Sequence, residues 1–209
     1  MLIAHVSPRT MGKTTNAAFL AHAMHERGYP MIGYDADHSQ QLTRWDAKAK
    51  FPFPVLGAAS ETFHMNVPKT LPPDTIGMID CGHAEDHVGV TSSVLRCADL
   101  AILNSSPSTA DLYRIRDLPM RKVLDDVAPL RLDSKPPETW VLLNRCPPQS
   151  NSKAVPDARK WFAKRGWNVF TTTVPFLQQY SQAIPFAVKG AGSHLDELVT
   201  EMKDRGLIP

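Results

Sequence analysis

Cysteine is scarce in this 209-residue chain, and its three cysteines, Cys81, Cys97 and Cys146, show no C-x-x-C spacing. That pattern argues against both a disulfide framework and a zinc site. The formal net charge is only +2, so any contact with nucleic acid has to come from a local basic patch. No apolar run approaches the roughly 18 residues of a membrane span, and the first residues lack the features of a signal peptide. We therefore expect a cytoplasmic protein without a membrane partner.

The strongest chemical signal is the segment SPRTMGKTT at positions 7–15. An apolar run precedes it and a helical pattern follows it, which is the strand, loop and helix context of a phosphate-binding P-loop. In such a loop backbone N–H groups cradle phosphate oxygens, while Lys13 contacts the β- and γ-phosphates and the Thr14 hydroxyl ligates Mg²⁺. The match to G-x-x-x-x-G-K-[ST] is incomplete, because Ser7 replaces the first glycine. The alternative is that Lys13 is a solvated lysine in the first turn of a helix.

Short apolar runs alternate with helical patterns along the chain. Strands are predicted at 2–6, 30–34, 76–80, 100–104, 139–144 and 168–172, and helices at 16–27, 40–48, 88–97, 110–127, 154–164 and 195–203. Strands separated by helices pair in parallel through right-handed crossovers. We therefore predict an α/β fold, a doubly wound and mainly parallel sheet with helices on both faces, as a single domain over residues 1–209. The proline-rich region 51–74 predicts only one short strand, near Val55.

Carboxylates follow two of these predicted strands. Asp35 and Asp37 come after the second strand, and Asp80 ends the strand at 76–80. Open α/β folds bind their ligands at the carboxyl edge of the sheet, so we expect the three carboxylates close to the P-loop. The alternative for Asp80 is that it caps the next helix.

Five segments, in order, resemble those of the ParA/MinD-type P-loop ATPases, and especially the small plasmid-partition ParA proteins. They are MGKTT, YDADHSQQLTRW, MIDCG, ADLAILNSSPSTADL and WVLLNR, and together they cover nearly the whole chain. The resemblance implies a P-loop NTPase fold, binding of ATP or ADP with Mg²⁺, and a homodimer that forms with ATP. It also implies slow ATP hydrolysis that a partner stimulates.

Position by position, the resemblance assigns the loop to the nucleotide. Lys13 and its neighbours would hold the phosphates and Mg²⁺, and Asn144 would hydrogen-bond the adenine edge from the end of its strand. The alternative for Asn144 is an asparagine that satisfies a turn. The implied nucleotide-binding residues are Ser7, Pro8, Arg9, Thr10, Met11, Gly12, Lys13, Thr14, Thr15, Asn144 and Arg145.

The resemblance also assigns the carboxylates. Asp37 would position or polarise the attacking water and act with Lys13 in catalysis. Asp35 would support the metal shell, and Asp80 would hold a Mg²⁺-bound water. The implied metal set is therefore Thr14, Asp35 and Asp80.

The loop departs from the family at one position. Proteins of this type carry a lysine at the start of the loop, which reaches across an ATP-bound sandwich dimer to the partner's phosphates, and Pro8 occupies that place here. A cation supplied in trans accelerates phosphoryl transfer by several powers of ten, so its loss affects hydrolysis and not binding. Arg9, Arg145 or Lys153 could replace it, and the sequence does not choose among them; Arg9 is our first choice as a catalytic cation.

Nonspecific DNA binding by the dimer is a further implication, which would make the protein nucleoid-associated. Such binding rests on neutralising phosphates. The alternative for each basic cluster is a solvated helix face, and we interpret Trp161 and Trp167 as core anchors and not as stacking platforms. The two clusters are Arg114, Arg116, Arg121 and Lys122, and Arg159, Lys160, Lys164 and Arg165.

The expected function is ATP-dependent segregation or positioning of a cargo, with a plasmid as the first choice and a ParB-like or cargo-adaptor protein as stimulator. A first alternative is a nucleotide-binding switch or scaffold with negligible turnover, because of Pro8. A second is the positioning of a protein cargo such as carboxysomes. A small-molecule ligase or kinase is disfavoured, since the sequence offers no second constellation of substrate-binding residues.

Overall fold

A computed structural model of the chain describes residues 1–8, 11–117, 120–148 and 152–209. The strands are β1 Leu2–Val6, β2 Met31–Ala36, β3 Val55–Gly57, β4 Ile76–Cys81, β5 Leu100–Ser105, β6 Glu138–Cys146 and β7 Asn168–Pro175. The helices are α1 Lys13–Glu26, α2 Gln41–Ala49, α3 Phe63–Thr70, α4 Val88–Cys97, α5 Thr109–Asp117, α6 Met120–Val127, α7 Ala154–Ala163, α8 Gln178–Ser181 and α9 His194–Asp204.

All seven strands form one parallel sheet in the order β3-β2-β4-β1-β5-β6-β7. The strands at its centre, β1, β4 and β5, are buried along their whole length, because helices cover both faces. The predicted α/β fold with a doubly wound sheet is therefore confirmed. Since β1 is the central strand, the loop that follows it lies in the middle of the carboxyl edge.

Two apolar cores flank the sheet, one on each face. One core includes Phe63, Leu95 and Phe162 and lies under the helices α3 to α7. The other includes Leu20 and Leu198, and it packs α1 between the sheet and α9. The first helix after the loop is thus buried against structure on two sides, which holds its N-terminus in a fixed position.

Two helices of the structure, α3 and the four-residue α8, were not predicted from the sequence. The region 51–74 contains α3 as well as the predicted strand at Val55, and α3 carries a proline, Pro68, in its interior. The described parts of the stretch 110–127, predicted as one helix, are the helices α5 and α6, and residues 118 and 119 between them lie outside the described ones. Within the described parts of the chain, no helix is long and apolar enough to cross a membrane.

Candidate functional site

The P-loop and three carboxylates meet at the carboxyl edge of the sheet. β4 lies between β1 and β2, and its Asp80 is aligned with His5 of β1 and with Asp35 of β2. All three strands run in the same direction, so the residues that follow them emerge side by side. The structure therefore places the predicted carboxylates next to the loop that precedes α1.

Gly12 closes the loop and α1 begins at the next residue, Lys13. Gly12 has φ 75°, a left-handed conformation that glycine adopts without strain. Its missing side chain also leaves room for the amide of Asn144, which a Cβ at this position would overlap. The free N–H groups of the first turn of α1 face the loop and can bind an anion. Two residues of the predicted set, Arg9 and Thr10, lie outside the described residues.

The ammonium group of Lys13 is buried with only one close polar partner that the structure records. Its Nζ donates a hydrogen bond to Ser7 Oγ at 3.2 Å, and the residue is only 5% exposed. Burial lowers the pKa of Lys13, while the nearby carboxylates of Asp80 and Asp37 act in the opposite direction. A buried cation whose one hydrogen bond to a described residue is to a hydroxyl favours binding of an anion.

Asp80 is buried completely, and neither carboxylate oxygen has a hydrogen-bond partner among the described residues. Burial raises the pKa of Asp80 to about 7; the nearby Thr14 hydroxyl and the charge of Lys13 act in the opposite direction, while the charges of Asp35 and Asp37 raise the pKa further. Unpaired carboxylates of this kind are costly unless they hold a cation. Thr14, half-buried in the first turn of α1, supplies the hydroxyl expected beside a phosphate-bound Mg²⁺.

Asp35 shapes the loop that carries Asp37. One Asp35 oxygen accepts hydrogen bonds from Thr43 N and Thr43 Oγ1, at 2.8 and 2.9 Å, and the other accepts from Asp37 N at 3.2 Å. Its carboxylate thus ties the end of β2 to α2, and its predicted role in the metal shell stays a prediction. Asp37 is half-buried, with one oxygen accepting from Ser39 N at 2.9 Å.

Asn144 contacts the loop through its side chain. Its Nδ2 donates to the main-chain oxygen of Met11 at 2.9 Å, and its Oδ1 accepts from Arg145 N at 2.8 Å. Met11 itself is 1% exposed, so its side chain packs in the protein interior and only its backbone faces the loop. The side-chain amide of Asn144 therefore buttresses the P-loop, and its predicted contact with adenine stays a prediction.

A crevice of about 130 Å³ lies beside this buttress. Phe176, which follows β7, is 59% exposed and forms one wall. An exposed aromatic ring next to a phosphate-binding loop suits a nucleotide base. The sequence analysis missed this wall, because the predicted strand 168–172 ended short of the observed β7, which extends to Pro175. The lining residues are Gly12, Thr15, Asn16, Asn144, Arg145, Pro175, Phe176, Tyr180 and Ser181.

A buried polar network lies beneath α1, and the sequence analysis missed it as well. Asn16 Nδ2 donates to Asn104 Oδ1 at 2.8 Å, and Asn104 Nδ2 lies 3.2 Å from His5 Nδ1. The network joins the first turn of α1 to β1 and β5. No local pattern reveals it, because its members lie on three separate elements.

Part of the first predicted basic cluster meets the second on a surface formed by α6, α7 and the residues up to Trp167, which we call the α6–α7 surface; Arg114 and Arg116 of the first cluster lie on α5 instead. Arg121 donates to the main-chain oxygens of Arg165 and Gly166, at 3.1 Å each. The guanidinium of Arg121 lies 4.2 Å from the ring centroid of Trp167. Trp167 also packs against the core, as expected for an anchor.

Other members of the clusters have their charges engaged. Arg159 donates to the main-chain oxygens of Phe170 and Thr171 in β7. Lys122 Nζ lies 2.7 Å from Asp126 Oδ2. Of the cations in the second cluster, Lys160 and Lys164 are exposed and in no recorded ion pair.

The architecture and the loop place the chain in the P-loop NTPase fold class. No family model and no curated protein matches the sequence. Solved structures do match, over nearly the whole chain. A Cyanothece McdA variant in complex with ATP has a TM-score of 0.71 at 15% identity, covering 98% of this chain and 96% of the other.

Two further solved structures match nearly the whole chain. A putative plasmid partition protein from Borrelia burgdorferi bound to AMPPNP has a TM-score of 0.69 at 10% identity, covering 97% and 98%. Cobyrinic acid a,c-diamide synthase from Mycobacterium smegmatis with ADP and magnesium has a TM-score of 0.72 at 15% identity, covering 98% and 96%. Within its class, the chain has the ParA/MinD-type fold.

Proposed function

We propose that the chain binds ATP with Mg²⁺ at the P-loop, hydrolyses it slowly, and uses the bound nucleotide to control a homodimer. The observation that carries this proposal is a pair of buried ionisable side chains, Lys13 at the N-terminus of α1 and Asp80 near the end of β4. Burying incompletely paired charges is costly, and a magnesium triphosphate would compensate both. Nucleotides and magnesium in the matched structures support the same reading.

In this proposal the residues of the site have distinct roles. The N–H groups of the first turn of α1 and the Lys13 ammonium hold phosphate oxygens. Thr14 and Asp80 would hold Mg²⁺, Thr14 through its hydroxyl and Asp80 through a metal-bound water, and the ion would supply positive charge beside the phosphates. Asp37 orients the attacking water, and Asp35 keeps Asp37 in place. Phe176 packs against the base.

Calorimetric titration with MgATP tests the assignment of Lys13. Replacing Lys13 with alanine removes a charge-assisted contact of roughly 1.5–3 kcal/mol, so affinity falls by about one to two powers of ten. Lys160→Ala, which removes an exposed lysine on α7, is the matched control and retains the wild-type affinity. Equal affinities in all three proteins would remove Lys13 from the site.

The biological role that we propose is positioning or partition of a cargo, with a plasmid as the first choice and a protein cargo as the second. Matches to a plasmid partition protein and to McdA support a role of this type. The ATP-bound dimer would bind DNA nonspecifically through the α6–α7 surface. A ParB-like or adaptor partner would stimulate hydrolysis, and the protein would associate with the nucleoid in the cytoplasm.

Pro8 favours one alternative function, a nucleotide-dependent switch with negligible turnover. Proline cannot supply the cation that crosses a sandwich dimer. Turnover measured with and without DNA and candidate partners separates the two functions. The replacement cation is tested by light scattering with ATP on Arg9→Ala, Arg145→Ala and Lys153→Ala, of which we expect Arg9→Ala to impair dimerisation. Dimers unaffected in all three variants would exclude these candidates.

A further inference from the structure

A second cavity, of about 570 Å³, opens beside Asp37 and shares no lining residue with the crevice of about 130 Å³ described above. We call it the Asp37 cavity. Its walls come from the loops after β2 and β4, from α2, and from Ile184 and Pro185. Its size lies within the range of small-molecule sites, about 300–1,000 Å³.

One face of α2 is turned toward this cavity. Gln41, Arg44, Trp45 and Lys48 all line it, and their spacing places them on adjacent turns of one helical stripe. Arg44 and Lys48 are exposed like charges four residues apart, which repel each other. The one carboxylate of α2, Asp46, accepts a hydrogen bond from Phe51 N. No ion pair to a described residue is recorded for either cation, so an anion in the cavity would relieve their repulsion.

The cavity also has an apolar wall, beside the two cations. Trp45 is 1% exposed, and its indole Nε1 donates to the main-chain oxygen of Phe186 at 2.7 Å. This bond fixes the ring and connects it to the segment that carries Ile184 and Pro185. The cavity therefore combines a fixed apolar wall with two cations, as sites for organic anions do.

Two histidines, His83 and His87, line the cavity near Asp37. The ring of His87 packs edge-on against His38, with centroids 4.6 Å apart. Gly82 allows this arrangement, because a Cβ there would lie 3.1 Å from His87 Cδ2 and 3.3 Å from Asp37 Oδ1. His83 lies 3.4 Å, Nδ1 to Oδ2, from Asp86. Imidazole N–H groups add donors for an anion next to the carboxylate assigned to the attacking water.

We propose that the Asp37 cavity binds a small organic anion, with its carboxylate or phosphate group between Arg44 and Lys48 and its apolar body against Ile184 and Pro185. The guanidinium of Arg44 can bind either group with two parallel hydrogen bonds. This site is separate from the nucleotide site, and Asp37 is where the two adjoin. It supplies the second constellation of ligand-binding residues that the sequence alone did not reveal.

The test uses three probes of the same shape: 1-naphthoate, 1-naphthyl phosphate and the neutral 1-naphthamide. Binding to the nucleotide-free protein is followed in ¹H–¹⁵N correlation spectra by the shift of the indole N–H signal of Trp45. The variant Trp45→Phe, which lacks this signal, assigns it. At least one anion is expected to bind at least tenfold more tightly than the amide, and the preferred anion identifies the group. Arg44→Gln combined with Lys48→Gln is expected to weaken that binding at least tenfold.

Two control proteins make the result specific. Lys69→Gln combined with Lys160→Gln removes two exposed charges elsewhere, and it is expected to bind the probe like the wild type. Lys13→Ala, which disables the P-loop, is also expected to leave probe binding unchanged. The proposal is overturned if no anion is preferred over the amide, if the Arg44 and Lys48 variant binds like the wild type, or if Lys13→Ala alone abolishes binding.

Discussion

The side chain of Asn144 is hydrogen-bonded to the backbone of the P-loop. Its Nδ2 donates to the main-chain oxygen of Met11 at 2.9 Å, and the two residues are 133 positions apart in the sequence. The same side chain accepts from Arg145 N, so both ends of the amide have partners. The end of β6 and the loop after β1 are thereby joined. Removing a side chain that supports the loop and removing one that recognises the base should change nucleotide affinity in different ways.

Replacing Asn144 with alanine is expected to lower the affinities for ATP and GTP by the same factor, about tenfold. The lost hydrogen bond and the empty space beside Gly12 leave the loop less ordered, and loop order affects every triphosphate equally. Losing a buried hydrogen bond costs roughly 1–3 kcal/mol, which sets this scale. Titration of both nucleotides checks it, with the exposed Asn168→Ala as control. A loss confined to ATP would show that Asn144 reads adenine instead.

Asp37→Ala is expected to bind ATP almost as tightly as the wild type while its hydrolysis is suppressed. The carboxylate orients water in the transition state and contributes little to ground-state binding. The variant should therefore accumulate in its ATP-bound assembly. Single-turnover hydrolysis under stimulating conditions is the measurement, and Asp125→Ala, which changes an exposed carboxylate on α6, is the control. Hydrolysis at the wild-type rate would refute the role of Asp37.

DNA binding is expected to require ATP, to ignore sequence and to weaken steeply with salt, since counterion release drives it. Lys160→Glu combined with Lys164→Glu is the sharpest test, because both lysines are exposed, whereas Arg159 donates to two carbonyls of β7. The reversal should weaken binding and reduce the salt dependence. Lys69→Glu combined with Lys189→Glu is the matched control. Equal binding by both double variants would exclude this part of the α6–α7 surface.

Features that depend on short runs of neighbouring residues could be predicted from the sequence. Strand runs such as Ile76–Cys81 are continuous and apolar because helices cover both faces of the sheet, so their type and order could be predicted. The position of Asp80 beside the loop followed, since parallel strands end at one edge. The helix α3 could not be predicted, because Pro68 disrupts its pattern and only two of its residues are buried.

Contacts between distant segments were not predictable. The bond from Asn144 to Met11 and the convergence of Arg44 with Ile184 depend on how separate elements pack, and no spacing in the sequence encodes them. The same is true of Arg121 and Arg165, which the sequence assigns to two clusters and the structure places in contact. Spacing identifies which residues reach an edge, whereas packing decides what they touch there.

The last prediction concerns His5, the buried end of the network beneath α1. Its ring is inaccessible to solvent, its Nδ1 lies near the Asn104 amide, and its Nε2 has no partner among the described residues. Burial lowers the pKa of His5 from 6.5 to about 4, and the charge of Lys13 lowers it further while the Asn104 hydrogen bond opposes them. The unfolded chain therefore takes up a proton on this residue before the folded protein does.

Keeping His5 neutral contributes to the free energy of unfolding. This contribution is fully present above pH 6.5, the pKa of the residue in the unfolded chain, and it is lost as the pH falls toward about 4, its pKa in the folded protein. Between about pH 7.5 and about pH 5 this one group accounts for about 2 kcal/mol of lost stability in the nucleotide-free protein. His5→Gln keeps a polar side chain and removes the titration, so its stability should fall less over that interval, whatever its absolute value. Urea unfolding at the two pH values measures the difference. An identical loss in the wild type and in His5→Gln would mean that other groups cause the acid sensitivity and that His5 is not held neutral by its burial.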